Sequence, residues 1–204
     1  GNAKAKNNDN FTVKVDAQIP SNFNGKTIYY RFSFQGIVSD IGTTKTLPIN
    51  NPNKFNIAFC SCSNYPAGYF NAYKEMANDE EVDLVLHLGD YLYEYSREGY
   101  ASSDAKKMGR VVNPPNEIIS LDDYRKRYAT YRSDTDLQLL HQSKPMIAVW
   151  DDHEITNDTW KKGAQNHSSD EGSFYKRKNN AIKAYYEWMP IRETNKKEKI
   201  WRKF

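Results

Sequence analysis

Short apolar runs that stop at polar residues are the main pattern in the second half of the chain. Residues 84–88 are four aliphatic side chains and one histidine, and Gly89 and Asp90 follow them directly. A run of this length, bounded by residues typical of turns, favours a strand buried on both faces of a parallel sheet over a helix. Residues 54–59 and 145–150 have the same form, so the sequence predicts three such strands.

Helical periodicity fills the stretches between these strands. Apolar residues recur every three or four positions from 70 to 77 and from 121 to 140, and Ser120 is a suitable N-cap for the second of these helices. A further helix is predicted from about 171 to 188, ended by Pro190. Strands that alternate with helices indicate right-handed crossovers and a parallel α/β sheet, whose strand ends all open on one edge.

A different pattern marks the first fifty residues. Residues 11–17 and 27–34 alternate apolar and polar side chains over one strand length each, which is typical of antiparallel strands with one wet face. An Asn- and Pro-rich linker follows at 48–53. We therefore expect an incomplete N-terminal β piece over residues 1–50 and an α/β domain over residues 51–204.

Three segments carry weaker signals. Residues 95–119 show little periodicity, and loops of that length in compact domains are usually functional lids or disordered. Residues 156–170 are also predicted to be irregular. The tail from 199 to 204 alternates again and looks like the first residues of a strand.

Composition narrows the class of protein. The net charge of +3 is too small and too dispersed to suggest nucleic-acid binding. Aromatic residues at 14% argue against disorder, although the mean hydropathy of −0.88 is low for a self-contained α/β domain. No apolar stretch approaches the ~20 residues of a membrane span, and no signal peptide is recognisable. We expect a monomer with neither a nucleic-acid-binding module nor a transmembrane segment.

The polar residues at the strand ends carry the candidate chemistry. Asp151, Asp152, His153 and Glu154 place three carboxylates and an imidazole directly after a strand, which is hard to explain as an exposed charge run. Carboxylates are ligands for Ca²⁺, Mg²⁺, Mn²⁺ or Fe³⁺, and histidine acts as a ligand or as an acid. We therefore favour a functional site at this edge of the sheet.

Asp90 is the second candidate. Gly89 lets the chain turn sharply at the end of its strand, and a carboxylate buried there needs a partner. Either a metal ion or the N-terminus of a helix would provide one. Tyr93 lies three residues further on, and because tyrosinate is a ligand for ferric iron, it favours the metal.

The cysteines and the other histidines give less specific signals. Cys60 and Cys62 are too close in the chain for an unstrained disulfide, and either could be a thiolate ligand or simply buried. His87 lies within its strand and is expected to be a core histidine, whereas His141 and His167 have no comparable setting. The motifs of serine hydrolases, P-loop proteins, dinucleotide-binding folds and zincins are absent.

Together, these segments resemble the PhoD-like alkaline phosphatases and phosphodiesterases. Residues 27–48 resemble the last strands of the β-sandwich that precedes the catalytic domain of that family. The order and spacing of the matching blocks span about residues 55–190, and in combination they are highly specific. The blocks are SCSNY at 61–65, GYFNAY at 68–73, LHLGDYLYE at 86–94, YR and YRSDTDLQ within 124–138, and WDDHE at 150–154.

The resemblance implies a fold. It is the α/β fold of the calcineurin-like metallophosphoesterases, with an incomplete parallel β-α-β core, preceded by antiparallel strands of a β-sandwich domain of the fibronectin or purple-acid-phosphatase type. The remaining ligands of the family, which are aspartates and histidines on later strands, would lie beyond Phe204. A secreted, periplasmic or cell-envelope location is also implied.

The resemblance assigns roles to individual residues. Cys62 would be a thiolate ligand, Asp90 the carboxylate that bridges metal ions, and Tyr93 a phenolate ligand. Asp152 stands where related enzymes carry a metal-binding asparagine. His153 stands where they carry the histidine that contacts the phosphoryl group.

The implied cofactors are Fe³⁺ and Ca²⁺, with other divalent metals as alternatives. Asp151 and Asn157 are further candidates for the same metal cluster. The implied reaction is hydrolysis of a phosphate mono- or diester, with His153 and Asp152 as catalytic residues. The alternatives are a phospholipase D-like phosphodiesterase or a nuclease on the same scaffold, or a non-catalytic truncated fragment.

Overall fold

A computed structural model describes residues 1–48, 50–193 and 199–203 of the chain. The strands are, in chain order, β1 (Thr27–Tyr30), β2 (Ser33–Phe34), β3 (Ile37–Val38), β4 (Gly42–Lys45), β5 (Ile57–Cys60), β6 (Leu84–His87), β7 (Met146–Ala148), β8 (Thr159–Trp160) and β9 (Gly163–Ala164). The helices are α1 (Asn71–Asn78), α2 (Leu121–Arg132), α3 (Thr135–Ser143) and α4 (Phe174–Trp188).

The centre of the fold is a three-stranded parallel sheet. Its order is β5-β6-β7, and Cys60, His87 and Ala148 are neighbours across the three strands. Helix α1 connects β5 to β6, helices α2 and α3 connect β6 to β7, and α1 packs against α3. The predicted parallel α/β arrangement is therefore confirmed.

The edge strand β5 differs from the prediction of strands buried on both faces. Its side chains Ile57 and Phe59 are 51% and 70% exposed, whereas Val85 and His87 of the central strand are 0% exposed. The reason is position, because β5 has a neighbour on one side only, and no described helix or strand covers the face that carries Ile57 and Phe59.

Aromatic residues dominate the core beside the sheet. Tyr124, Tyr128 and Tyr131 on α2 are each 0% exposed, and α2 packs against α4. The ring of Tyr128 stacks on that of Trp188, with 6.1 Å between the centroids. The predicted N-cap of α2 is also present, because Ser120 forms a capping box at the start of the helix.

The single helix predicted over 121–140 is wrong, since the structure has two. Helix α2 ends at Arg132, and the carboxylate of Asp134 accepts hydrogen bonds from two amides in the first turn of α3. The same carboxylate forms a 2.6 Å ion pair with Arg110. These contacts hold the backbone of Asp134 in an extended conformation, so the helix is interrupted there.

The helix predicted over 171–188 begins three residues late. Gly172 has a φ of +87°, a left-handed conformation that a right-handed helix does not allow, and residues 169–171 form a separate 3₁₀ turn. The remaining helix predictions agree to within a few residues, since the segment over 70–77 is observed as α1 and the predicted end at Trp188 is the end of α4.

The N-terminal segment forms two small antiparallel pairs, β1 with β4 and β2 with β3. The strand predicted over 11–17 is wrong, because this segment has no strand partner in the described part of the chain. Its polar side chains reach the segment after α4 instead. Lys14 donates to the carbonyl oxygen of Ile191 at 3.0 Å, and Asp16 lies 2.6 Å from Arg192.

The β1–β4 pair docks on the end of α3. Thr43 donates to the carbonyl oxygen of Ser143, and Gln142 donates to that of Ile41, both at 2.9 Å. These polar contacts connect the N-terminal strands to the parallel sheet through α3. The division of the chain into two domains near residue 50 stays a prediction.

Two other predictions about irregular and extended segments need correction. Residues 156–170, predicted to be irregular, contain the β8–β9 pair. The tail predicted as a strand is not one over residues 199–203, although Arg202 donates to the carbonyl oxygen of Ala148 at 2.5 Å, and Phe204 lies outside the described residues. Within the described residues, no helix combines the length and apolar character that crossing a membrane requires.

Candidate metal centre

The segments that follow β5 and β6 are joined at the carboxyl edge of the sheet. The amide of Cys62 donates to the carbonyl oxygen of Gly89 at 3.2 Å, and the amide of Ser63 donates to that of Asp90 at 2.9 Å. The segment after β7 reaches the same place, because the amide of His153 donates to the Asp90 carboxylate at 3.3 Å. The carboxyl edge is where open α/β sheets bind their ligands.

The backbone at these turns is in an uncommon conformation. Cys62 and Asp90 have φ values of +59° and +52°, although neither is a glycine. Gly89 has a φ of +111°, and a Cβ atom there would lie 2.5 Å from the amide nitrogen of Asp151. Only glycine fits at that position, and left-handed residues other than glycine concentrate at functional sites.

Five of the predicted site residues lie around one carboxylate. The candidate ligand atoms of Asp90, Asp152 and His153 are all within 4.8 Å of one another. Cys62 Sγ lies 3.5 Å from Asp90 Oδ2, and the phenol oxygen of Tyr93 lies 3.4 Å from the same atom. Carboxylate and phenol oxygens suit hard cations, and imidazole and thiol groups suit softer ones, so this donor set fits iron together with a divalent cation.

Two predicted candidates lie outside this group. Asp151 is exposed, and its carboxylate is not among the ligand atoms that lie within 4.8 Å of one another in the described residues. The side-chain amide of Asn157 donates to Gln165 at 2.9 Å, and its main-chain amide donates to Glu94 at 2.8 Å. Asn157 therefore supports the neighbouring loop through these two hydrogen bonds.

The structure distinguishes the two cysteines. Cys60 is part of β5, where burial raises the pKa of its thiol to about 11, so this sulfur stays protonated at neutral pH. Cys62 lies in the turn beyond the strand, in contact with Asp90. Cys62 rather than Cys60 is therefore placed beside the carboxylate group.

Negative charge is crowded at this site. Burial raises the pKa of Asp90, and the charges of Asp152 and Asp151 raise it further, while His153 and the hydrogen bond from Cys62 act in the opposite direction. A bound cation would relieve this repulsion and favour the ionised carboxylates.

The phenol of Tyr93 belongs to the same electrostatic environment. Burial raises the pKa of Tyr93, and the charges of Asp90 and Cys62 raise it further. The imidazole of His153 shows the complementary shift. Burial lowers the pKa of His153, but the hydrogen bond and charge of Glu94 and the charges of Asp90 and Asp152 outweigh it, so the net pKa is raised.

Two buried glutamates support the site, and the sequence analysis assigned a role to neither. Glu154, 1% exposed, accepts hydrogen bonds from the amides of Asp90, Tyr91 and Asp151 at 3.1, 2.6 and 2.8 Å. Burial raises the pKa of Glu154 to about 7, although these backbone hydrogen bonds act against the shift. Its place in the Asp-Asp-His-Glu run was the signal, since a carboxylate directly after a buried strand is available to bind main-chain amides.

Glu94 is the second buried glutamate and is 0% exposed. One of its oxygens lies 2.7 Å from Nδ1 of His153, and the other accepts from Asn157 and Asn166, both at 2.8 Å. Burial tends to raise the pKa of Glu94, but the bonds from His153, Asn166 and Asn157 lower it overall. Its signal in the sequence was a charged residue at the end of an apolar and aromatic run.

Part of the long loop 95–119 lies beside the same residues. The ring of His153 is 4.1 Å from that of Tyr93 and 5.5 Å from that of Tyr95, measured between centroids. Tyr100, which is 63% exposed, stacks on Tyr93 at 6.3 Å. The loop predicted as a lid or a disordered segment therefore forms an aromatic wall next to His153.

The fold and this donor set define an α/β protein with a candidate metal centre at the carboxyl edge of its sheet. Residues 57–204 match the family model of the PhoD-like phosphatases. Over 183 residues the chain is 45% identical to alkaline phosphatase D of Bacillus subtilis (strain 168), a match that covers 88% of this chain and 30% of that protein.

A solved structure of PhoD gives a TM-score of 0.71 at 43% sequence identity, covering 82% of this chain and 32% of the other. The chain therefore belongs to the PhoD-like phosphatase family, as the resemblance of its sequence blocks predicted. It spans about a third of the length of the relatives that it matches.

Proposed function

We propose that this chain belongs to a metal-dependent phosphoesterase that hydrolyses phosphate mono- or diesters. The observation that carries the proposal is the convergence of Cys62, Asp90, Tyr93, Asp152 and His153 from the ends of three parallel strands. Membership of the PhoD-like phosphatase family supports the same conclusion. We assign Fe³⁺ and Ca²⁺ as the metals, on the basis of the donor set and the family resemblance.

The residues would divide the work as follows. Cys62, Asp90, Tyr93 and Asp152 would hold the metal ions, and Asp151 remains a candidate for an outer position. When bound, metal ions polarise the phosphoryl oxygens and lower the pKa of a water that attacks phosphorus. His153 would donate a hydrogen bond where negative charge develops on the phosphoryl group or the leaving oxygen.

A cleft beside Asp152 provides room for a substrate. Its volume is about 310 Å³, and its lining includes Asp151, Asp152, Trp160, Lys161 and Lys178. Lysine ammonium groups next to a metal centre suit the negative charge of a phosphate ester. The cleft therefore supports a phosphate ester as substrate.

The test combines metal binding with hydrolysis. The purified protein is loaded with iron and calcium, its metal content is measured, and p-nitrophenyl phosphate and bis(p-nitrophenyl) phosphate are assayed at alkaline pH. We expect turnover of at least one ester, and we expect Asp90→Asn to lose most of the iron and at least about 10-fold in kcat. Asp122→Asn is the matched control, because Asp122 is an exposed carboxylate paired with Lys126 on α2.

A metal-loaded protein that hydrolyses neither ester would refute the proposed function. Normal turnover and iron content in Asp90→Asn would refute the assignment of that residue. Cys62→Ser should abolish the thiolate-to-iron absorption band, whereas Cys60→Ser should retain it, and the reverse result would exchange the two cysteines.

We extend the proposal to a secreted or cell-envelope location and to a monomeric state. The family resemblance is the support for the location. Light scattering after size exclusion checks the oligomeric state, and a mass near twice the chain mass of 23.7 kDa would contradict a monomer.

A further inference from the structure

Glu94 connects the imidazole of His153 to the loop that follows β7. Its carboxylate is 0% exposed, and Oε2 lies 2.7 Å from His153 Nδ1. Oε1 accepts from Thr156 Oγ1, the main-chain amide of Asn157 and the side-chain amide of Asn166, at 3.1, 2.8 and 2.8 Å. A fully buried carboxylate with this many partners is an unusually constrained group.

We propose that Glu94 is a positioning residue for the phosphoester reaction, which fixes His153 with its proton on Nδ1 and leaves Nε2 available to the substrate. This inference rests on the proposed function for its catalytic consequence. The part that concerns the tautomer of the imidazole stands on the geometry alone.

The distribution of donors determines the tautomer. The main-chain N–H of Asn157 can only donate, and it occupies Oε1 together with the amide of Asn166. Oε2 is therefore the oxygen that accepts from His153, and Nδ1 must carry the proton to donate to it. Among the described residues, Nε2 of His153 has no hydrogen-bond partner.

Other contacts fix the plane and the position of the ring. The His153 ring packs on that of Tyr93 at 4.1 Å, and its main-chain amide donates to Asp90 at 3.3 Å. These contacts would still permit the ring to turn over, which exchanges Nδ1 for a carbon atom. Only Glu94 favours one of the two orientations, because a carbon in that place would leave its oxygen unpaired.

Glu94→Gln separates this role from a merely structural one. Glutamine has the same shape but one acceptor oxygen and one NH₂ group. The oxygen must stay with the Asn157 and Asn166 donors, so the NH₂ group faces Nδ1 of His153. Nδ1 then has to accept, and the proton moves to Nε2. A residue that only holds the loop in place would leave the tautomer unchanged.

The experiment records the imidazole ¹⁵N resonances of the uniformly labelled protein at alkaline pH, where the ring is neutral. His153→Asn identifies the signals. We expect the Nδ1–H form in the wild type and the Nε2–H form in Glu94→Gln. Glu117→Gln is the control, because Glu117 forms a 2.7 Å ion pair with Arg177 and makes no contact with His153, so it should leave the tautomer unchanged.

Kinetics test the catalytic consequence. With the metal-loaded protein, Glu94→Gln should lower kcat by about 10- to 100-fold, the range typical of residues that orient a catalytic histidine, with KM within about threefold. An Nε2–H tautomer in the wild type, or no change in Glu94→Gln, would overturn the inference. A changed tautomer with unchanged kcat would also overturn the positioning role.

Two safeguards keep the test decisive. If Glu94→Gln does not fold, the wild-type spectrum decides, because the Nδ1–H form supports the inference and the Nε2–H form overturns it. If the wild type hydrolyses no ester, the proposed function fails, and the comparison of tautomers then decides the positioning of His153 independently.

Discussion

The buried imidazole of His87 predicts how the protein responds to acid. His87 is 0% exposed in the central strand β6, where its Nε2 lies 2.8 Å from the hydroxyl of Tyr73 and its Nδ1 accepts from the amide of Gly89 at 3.3 Å. Burial lowers the pKa of His87 from 6.5 to about 4. The ring is therefore neutral in the folded state at neutral pH, as expected for the core histidine that the sequence predicted.

The sign and size of the effect follow from linkage. Above pH 6.5 both the folded and the unfolded state hold a neutral His87, so the group does not affect stability. Between about pH 6.5 and about pH 4, the unfolded state binds a proton that the folded state does not, and stability falls with pH. At about 1.4 kcal/mol per pKa unit, the full loss is about 3 kcal/mol.

Urea unfolding of the wild type and of His87→Gln, from about pH 7.5 to about pH 4.5, measures this loss. Glutamine does not titrate, and the other acids contribute almost equally to both proteins, so their effects cancel in the difference. The difference in free energy of unfolding should shrink by about 1.4 kcal/mol for each pH unit below 6.5. A difference that stays constant with pH would refute the reasoning.

Three further substitutions test other features. Arg110→Met leaves the carboxylate of Asp134 buried without its partner and should lower the free energy of unfolding in urea by about 3–5 kcal/mol, and no recovery on adding Asp134→Asn would argue against the ion pair as the cause. Gly89→Ala should abolish iron binding, because its Cβ would lie 2.5 Å from a main-chain nitrogen, whereas Gly109→Ala meets open space and should cost only about 1–2 kcal/mol. Ser120→Ala should lose about 1 kcal/mol in the same urea assay, and no loss would contradict a role for the capping box.

The parallel sheet and much of the candidate site were predictable because their signals are local. A short apolar run that ends in Gly89-Asp90 or in the Asp-Asp-His-Glu segment specifies both a strand and a polar strand end. Topology then brings the strand ends together without any knowledge of side-chain packing. Cys62, Asp90 and Asp152 were found in this way, although the choice of Cys62 over Cys60 needed the family resemblance.

Features that depend on distant partners were not predictable. Asn166 reaches Glu94 across 72 positions of the chain, and no periodic pattern encodes such a pair. The break between α2 and α3 depends on Asp134, whose ion-pair partner Arg110 lies in the long loop. The extended segment at 11–17 alternates like a strand, but it lacks a strand to pair with among the described residues.

The main-chain hydrogen bonds from Cys62 and Ser63 to Gly89 and Asp90 have an evolutionary consequence. They fix the separation of the two turns independently of the side chains that the turns carry. Descendants of this fold could therefore exchange sulfur for oxygen at position 62 and select another ion without rebuilding the sheet.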